Sequence, residues 1–231
     1  MTAASVDLGL GGERVRLLGA RAAYLPAHAV LLLADLHLGK GQAFRRLGVP
    51  VPRGSSGETL ARVDALLAAT GATRLVVLGD LLHAARGRGA ALDDEVTRAI
   101  DRWRARRPGL QLELVRGNHD RHAGDPPPAW GVRVAEDLLR LGGIALRHEP
   151  AALEGAYVLA GHLHPVLRLA GPAHDRLRLP CFRIGARVGV LPAFGAFTGG
   201  HPVRPAAGER LFVADGESVH ELPPVRDALR A

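Results

Sequence analysis

A short apolar run that ends in a polar, metal-competent residue recurs five times along this chain. Residues 29–34 lead into Asp35-Leu36-His37, 75–78 into Gly79-Asp80, and 112–116 into Gly117-Asn118-His119-Asp120. Residues 144–147 lead into His148, and 157–160 into Gly161-His162-Leu163-His164. Each run has the length and bounding residues of a buried strand. Two segments between the first three have helical spacing. Residues 57–69 set Leu60, Val63, Leu66 and Leu67 on one face, with Ser55 or Ser56 as N-cap. Residues 91–107 set Leu92, Val96, Ile100 and Trp103 on one face and stop at Pro108-Gly109. Strand-helix-strand-helix-strand predicts right-handed crossover units with covered sheet faces. Ligands of such sheets gather beyond the carboxyl ends of the strands, where these polar residues fall. From Val166 on, residues 179–184, 188–191 and 211–216 predict a second sheet that closes a sandwich. Pro126-Pro127-Pro128 reads as a surface loop, and one domain over residues 1–231 is expected.

Composition narrows the class. With 47% hydrophobic and 23% charged residues the chain has the make-up of a soluble globular protein. No apolar run approaches the ~18 residues that a membrane helix needs, and residues 1–12 lack the basic start and apolar stretch of a secretory signal. One cysteine, Cys181, excludes an internal disulfide framework and a multi-cysteine zinc site; it reads as a small buried residue. A cytoplasmic location is the expectation. The formal charge of +7 suits a polyanion such as nucleic acid. Lys40 is the only lysine, however, and a GC-rich genome accounts for so much arginine as well as a binding stripe does. Aromatic residues are 4% of the chain, a poor supply for base-stacking platforms.

The strand ends offer Asp35, His37, Asp80, Asn118, His148, His162 and His164 as oxygen and nitrogen donors. These are too many for one first-row cation with an open position and suit two that share a carboxylate. Mixed imidazole and carboxylate ligation favours manganese, iron or zinc, with manganese preferred here. Two such cations, roughly 3.5–4 Å apart, are the arrangement for in-line displacement at phosphorus. A lone histidine at a strand end is more often a satisfied histidine than a ligand; five motifs, each after an apolar run, outweigh that reading.

In this order the five motifs resemble the calcineurin-like metallophosphoesterases, over about residues 30–165. The resemblance implies an α/β fold, a four-layer α/β/β/α sandwich with two mixed sheets, and a two-metal centre that holds the attacking water. It puts Asp35, His37 and His164 on one metal, Asn118, His148 and His162 on the other, and Asp80 between them. It makes His119 the general acid, with Asp120 orienting its imidazole. Further stretches, Asp35-Leu-His-Leu-Gly-Lys40, Phe44-Arg-Arg46, Val49-Pro-Val-Pro-Arg53, Arg147-His-Glu-Pro150 and Leu191-Pro-Ala-Phe-Gly-Ala-Phe-Thr-Gly-Gly200, resemble the bacterial ligase-associated group. That resemblance implies a phosphodiesterase or endonuclease acting on DNA in a repair pathway, beside an ATP-dependent DNA ligase and a helicase.

Other residues read two ways. Lys40, Arg45 and Arg46 either lie beside the metals and bind substrate phosphate or decorate a solvated loop. His83, three residues after Asp80, touches the substrate or faces solvent. His28, His122, His174, His201 and His220 have no motif and read as surface residues, and Phe194 and Phe197 as core. The basic end of the second helix, residues 102–107, complements the helix dipole without a ligand. Rival functions are a phosphodiesterase or phosphatase of small nucleotides, and a scaffold of the same fold without catalysis. Retention of every ligand and of His119 argues against the scaffold.

Overall fold

The computed structural model describes residues 4–170 and 176–223. His174 lies outside them, as do residues 1–3 and 224–231. The strands are β1 (Ser5–Leu10), β2 (Glu13–Leu18), β3 (Ala22–Leu25), β4 (Val30–Leu33), β5 (Arg74–Val77), β6 (Gln111–Val115), β7 (Val132–Ala135) and β8 (Leu139–Leu141). They continue with β9 (Ile144–Leu146), β10 (Tyr157–Ala160), β11 (Pro165–Ala170), β12 (Arg176–Ile184), β13 (Val188–Val190), β14 (His201–Pro202), β15 (Arg210–Ala214) and β16 (Val219–Glu221). The α-helices are α1 (Lys40–Arg46), α2 (Ser55–Thr70), α3 (Ala90–Arg106) and α4 (Asn118–Ala123).

Both sheets are mixed, as expected. The first runs β1-β2-β3-β4-β5-β6-β7 and is antiparallel up to β4 and parallel from β4 to β7. The second runs β14-β11-β12-β13-β10-β9-β8, with β15 and β16 joined to β12. Within it β10 is parallel to β9 and to β13. The first three motif-bearing runs are therefore neighbours in one sheet and the last two are neighbours in the other.

Alternation along the strands sorts the core into layers. Leu31 and Leu33, Leu75 and Val77, and Leu112 and Leu114 face α2 and α3, where they meet Leu60, Val63, Leu67, Val96, Ile100 and Trp103. Their alternates Val30, Leu32, Val76 and Val115 face the second sheet and pack with Leu146, Leu159, Phe182 and Phe212. The two helices that the spacing predicts, α2 and α3, differ from expectation only at their ends. Gly54, with φ 93°, occupies the N-cap of α2, while the Ser56 hydroxyl accepts the Gly39 N–H at 3.1 Å; a serine cap was the wrong reading.

Outside the second sheet no helix lies on the small cluster of Ala145, Val158 and Ala160 among the described residues; Leu153 and Ala156 of the β9–β10 connection pack there. That connection is short and carries Pro150 and a left-handed Gly155, so it has no room for a crossover helix. Within the Pro126–Pro128 loop Pro126 is buried, and the loop turns into a 3-10 segment that seats the buried Trp130. No helix among the described residues is long and apolar enough to cross a membrane.

Candidate metal centre

The ends of the two sheets are stitched together by main-chain bonds. Asp35 N–H donates to Gly79 C=O at 3.1 Å and His37 N–H to Asp80 C=O at 2.8 Å, so the loops after β4 and β5 run side by side. Phe194 N–H reaches Ala34 C=O at 2.8 Å and Gly195 N–H reaches Asp35 C=O at 3.2 Å. The segment around Phe194 is itself tied to α2. The Arg62 guanidinium donates to the carbonyls of Phe194 (2.7 Å) and Ala20 (3.0 Å) and lies 4.2 Å over the Phe194 ring. His162 N–H, from the second sheet, donates to both carboxylate oxygens of Asp35 at 3.0 and 3.1 Å.

Among the described residues seven non-glycines have positive φ, and five of them are Asp35, His37, Asp80, His162 and His164. This left-handed conformation is uncommon for side-chain-bearing residues and persists only where the surroundings over-determine it. Here each strand turns sharply at its carboxyl end and aims a ligand-type side chain into the space between the sheets. The motif glycines make room for them. A Cβ on Gly79 would sit 2.1 Å from His148 Nδ1, one on Gly117 2.2 Å from Asp80 Oδ1, and one on Gly161 2.7 Å from Asp35 Oδ2. Gly117→Ala is accordingly expected to displace Asp80 and weaken divalent-metal binding about 10–100-fold, the scale of losing a supporting contact at a metal ligand. Metal titration followed by calorimetry would check it.

All seven predicted donors come together, in two clusters that meet at Asp80. In one, donor atoms of Asp35, His37, Asp80 and His164 all lie within 4.8 Å of one another. His37 Nε2 is 3.2 Å from His164 Nε2, which is 3.3 Å from Asp35 Oδ1, and Asp80 Oδ2 is 3.7 Å from His37 Nε2. In the other, Asn118 Oδ1 is 2.9 Å from His148 Nε2 and 3.1 Å from His162 Nδ1, and those nitrogens are 3.1 Å apart. Asp80 Oδ1 lies 3.5 Å from His148 Nε2, so the two oxygens of one carboxylate serve the two clusters.

The chemistry of these donors fits divalent cations. His148 Nδ1–H donates to Leu78 C=O at 2.9 Å, which leaves a lone pair on Nε2 facing the carbonyl-type oxygen of Asn118. Atoms about 3.0 Å apart, with lone pairs converging, mark the edges of a coordination shell with bonds of ~2.1 Å. Asp35 and Asp80 are 0% and 1% exposed, and neither has an arginine or lysine within 4.0 Å among the described residues. Two buried carboxylates without such a partner are costly, and a cation offsets that cost. Burial, opposed by His148 and reinforced by Asp35, pushes the Asp80 carboxyl above its ordinary range. Burial, then His164, His119, Lys40 and His83, hold His37 far below its usual value, so it is neutral, as a ligand must be.

Asp120 does not do what its place in the motif suggested. Its carboxylate, 1% exposed, accepts the N–H groups of Asp80 (2.8 Å), Gly117 (3.0 Å) and Leu82 (3.0 Å), pinning the loops after β5 and β6 to each other. The His119 imidazole is oriented instead by His83 C=O, to which its Nδ1–H donates at 2.7 Å. The correction has a simple cause: Asp120 is at the third position of α4 and reaches back to the helix start, away from the ring of His119. Its Nε2 is thereby left for a ligand.

His83 is half-buried, stacked on His119 at 4.9 Å, with its Nδ1 3.4 Å from His37 Nδ1; it belongs to this centre. Burial, Lys40 and His119 push it down to about 4, so it is neutral at pH 7. Lys40 begins α1 half-buried, close enough to lower both His37 and His83. Arg45 and Arg46 lie further along α1 and donate to main-chain carbonyls of Pro52 (2.9 Å) and Arg86 (2.6 Å). Phe194 is fully buried, whereas Phe197 is 37% exposed and meets Phe44 edge-on at 5.9 Å, which removes it from the core. Sequence reasoning missed Phe44 at this rim, and its place next to Arg45 and Arg46 was the available signal. His28 and His220 pair with Glu13 (3.1 Å) and Asp215 (2.9 Å), and the exposed His122 and His201 touch donor residues at main-chain carbonyls, Asn118 (2.7 Å from His122 Nδ1) and His164 (2.8 Å from His201 N). Burial pushes the Cys181 thiol up to about 12, which makes it inert.

Two mixed sheets whose strand ends converge on paired clusters of nitrogen and oxygen donors define a metal-dependent phosphoesterase fold. The crystal structure of Pseudomonas putida nuclease MPE is 42% identical to this chain with a TM-score of 0.81, over 94% of this chain and 100% of that one. A phosphoesterase from E. coli, Yfce, is 16% identical with a TM-score of 0.42, over 84% of this chain and 97% of that one. No family model matches the sequence, and no curated protein does. The chain belongs to the metallophosphoesterase superfamily.

Proposed function

We propose that this protein is a binuclear phosphodiesterase that cleaves nucleic acid, DNA by preference, with manganese as its metal. The observation that carries the reading is the pair of donor clusters that meet at Asp80, Asp35, His37 and His164 on one side and Asn118, His148 and His162 on the other. On this reading Asp35, His37 and His164 would hold one cation, Asn118, His148 and His162 would hold the other, and Asp80 would serve both. When bound, the pair supplies Lewis acidity toward a phosphoryl oxygen and toward the attacking water. The chain's own residues do the rest. His119, held by His83 C=O, presents Nε2 and passes its proton to the leaving oxygen as the P–O bond breaks. His83 and Lys40 line the approach, and the half-buried lysine gives a phosphate oxygen a positive partner. Asp120 keeps the loops that carry Asp80 and His119 in register.

The nucleic-acid substrate is supported by the 42% identity to a nuclease along nearly the whole chain and by the formal charge of +7. A cytoplasmic DNA-repair role beside an ATP-dependent ligase and a helicase rests on the motif resemblance, and the neighbouring genes test it. The direct test of the activity compares bis-p-nitrophenyl phosphate with p-nitrophenyl phosphate, with and without Mn²⁺. Metal-dependent turnover of the diester is expected. No turnover of either compound with manganese, iron, cobalt or zinc would return the chain to the scaffold reading.

A further inference from the structure

Between α1, the loop before α2 and the start of α3 lies a cavity of about 370 Å³ lined by Gln42, Arg45, Arg46, Arg53, Gly89, Ala90 and Ala91. Three of these residues are arginines and none is acidic. Other arginines of the chain are neutralised in pairs and networks, Arg14 and Arg16 by Asp7, Arg74 and Arg133 by Glu113, Arg116 by Asp125 and Glu136, and Arg210 by Glu221. Among the described residues Arg45, Arg46 and Arg53 have no carboxylate within 4.0 Å. Like charges converging without a counter-ion repel one another, so the arrangement gains stability from an anion.

Two of the guanidinium groups are already held in place. Arg45 Nη1 donates to Pro52 C=O (2.9 Å), and Arg46 Nη1 to Arg86 C=O (2.6 Å). Arg46 Nη2 packs where Gly89 has no side chain, 3.2 Å from the place a Cβ would take. Guanidinium forks fixed along one edge present their remaining N–H groups with little ordering left to do, which favours a phosphate over a mobile counter-ion. The start of α3, whose N-cap makes no side-chain hydrogen bond, turns the positive end of its dipole to the same side, with Asp93 in its first turn.

The position of the cavity says what carries that phosphate. α1 begins three residues after His37 and extends about 9 Å to Arg46 at 1.5 Å per residue. Arg45 and Arg46, which line the cavity, thus lie about one helix length along α1 from Lys40, itself close to His37 and His83. A small phosphodiester held by the metals does not span that length; a polynucleotide does.

We infer that this arginine cavity seats a backbone phosphate of a polynucleotide strand, away from the bond that is cut. The inference rests on the nucleic-acid reading above and deepens it. Arg53, exposed at the lip, is the residue to change. The measurement is kcat/KM for a single-stranded oligonucleotide, for thymidine p-nitrophenyl phosphate and for bis-p-nitrophenyl phosphate, with Mn²⁺, in the native protein, Arg53→Ala and Arg53→Glu. The ratio of oligonucleotide to bis-p-nitrophenyl phosphate kcat/KM is expected to fall roughly 10-fold in Arg53→Ala and further in Arg53→Glu. The slope of log Kd for the oligonucleotide against log salt should fall by about one, the mark of a lost phosphate contact. An unchanged ratio and slope in both variants would overturn the inference. So would an equal loss on thymidine p-nitrophenyl phosphate, which would put the cavity at the nucleotide being cut. Absence of metal-dependent turnover in the native protein would sink the phosphodiesterase reading itself.

Discussion

Asp80→Ala is expected to lose both cations and to lower turnover at least ~10³-fold, the several kcal/mol that a two-metal clamp supplies. Among the described residues Asp80 is the donor shared by the two clusters, with one oxygen 3.7 Å from His37 Nε2 and the other 3.5 Å from His148 Nε2. Its second oxygen contact is structural as well, since Asp80 Oδ1 accepts His119 N–H at 2.9 Å. Metal content by mass spectrometry and diester turnover should therefore fall together. Alanine also occupies a residue with φ 54°, so Asp80→Asn is the control that keeps the side-chain shape and suits that backbone. Asparagine retains one carbonyl-type oxygen and should keep part of the metal binding that alanine loses.

A thermal measurement separates the bridge from a merely structural role. In metal-free protein Asp80 is a buried carboxylate beside Asp35, and burial already pushes it toward its neutral form. Relief of that buried charge should offset the lost His119 N–H contact and the strain of alanine at φ 54°, so the metal-free Tm should change little. The rise in Tm that Mn²⁺ gives the native protein should be absent from the variant, because stabilisation by a ligand follows its binding. A large drop in the metal-free Tm would show instead that Asp80 holds the fold.

His119→Ala should behave in the opposite way. Both clusters stay complete, so the metal content is expected to match the native protein, while turnover falls by roughly 10²–10⁴ on substrates with poor leaving groups. A nitrophenolate leaves without a proton, and the loss with bis-p-nitrophenyl phosphate should be smaller. Equal losses on an alkyl ester and a nitrophenyl ester would remove the acid role. The ring's only described hydrogen bond runs from Nδ1 to His83 C=O, so a change at Asp120 should act through the position of Asp80 and Gly117. Asp120→Asn is therefore expected to disturb metal affinity along with turnover, and His119→Ala turnover alone.

Much of the architecture was readable from periodicity. The apolar runs at 29–34, 75–78, 112–116, 144–147 and 157–160 are the strands β4, β5, β6, β9 and β10, because a buried strand needs nothing more local than a short apolar segment between breaks. α2 and α3 were legible from the faces now packed on the first sheet. The antiparallel strands β1 to β3 went unread. Their inward residues, Val15 and Leu17 among them, alternate with charged ones such as Arg14 and Arg16, and glycines interrupt the pattern. α1 also went unread, since its charged residues form no apolar stripe and α2 and the segment after Leu82 hold it in place.

For the site, chain order alone determined which residue types could bind metal, for each lies at the end of an apolar run and the chemistry of imidazole and carboxylate is fixed by the side chain. Which atoms face one another was decided by the tertiary structure. Two sheets had to stack before Asp35 and Asp80 from one could meet His148, His162 and His164 from the other, since contacts over such separations are set by core packing rather than by local preference. Packing within the first sheet and its helices took Asp120 away from His119 and gave it to three main-chain N–H groups. It also brought His83 against His119, and Arg53 into one cavity with Arg45 and Arg46. A sequence motif carries the identity of a donor; the direction in which it points depends on backbone conformations, such as the left-handed turns at Asp35, His37, Asp80, His162 and His164, that only the surrounding fold holds in place.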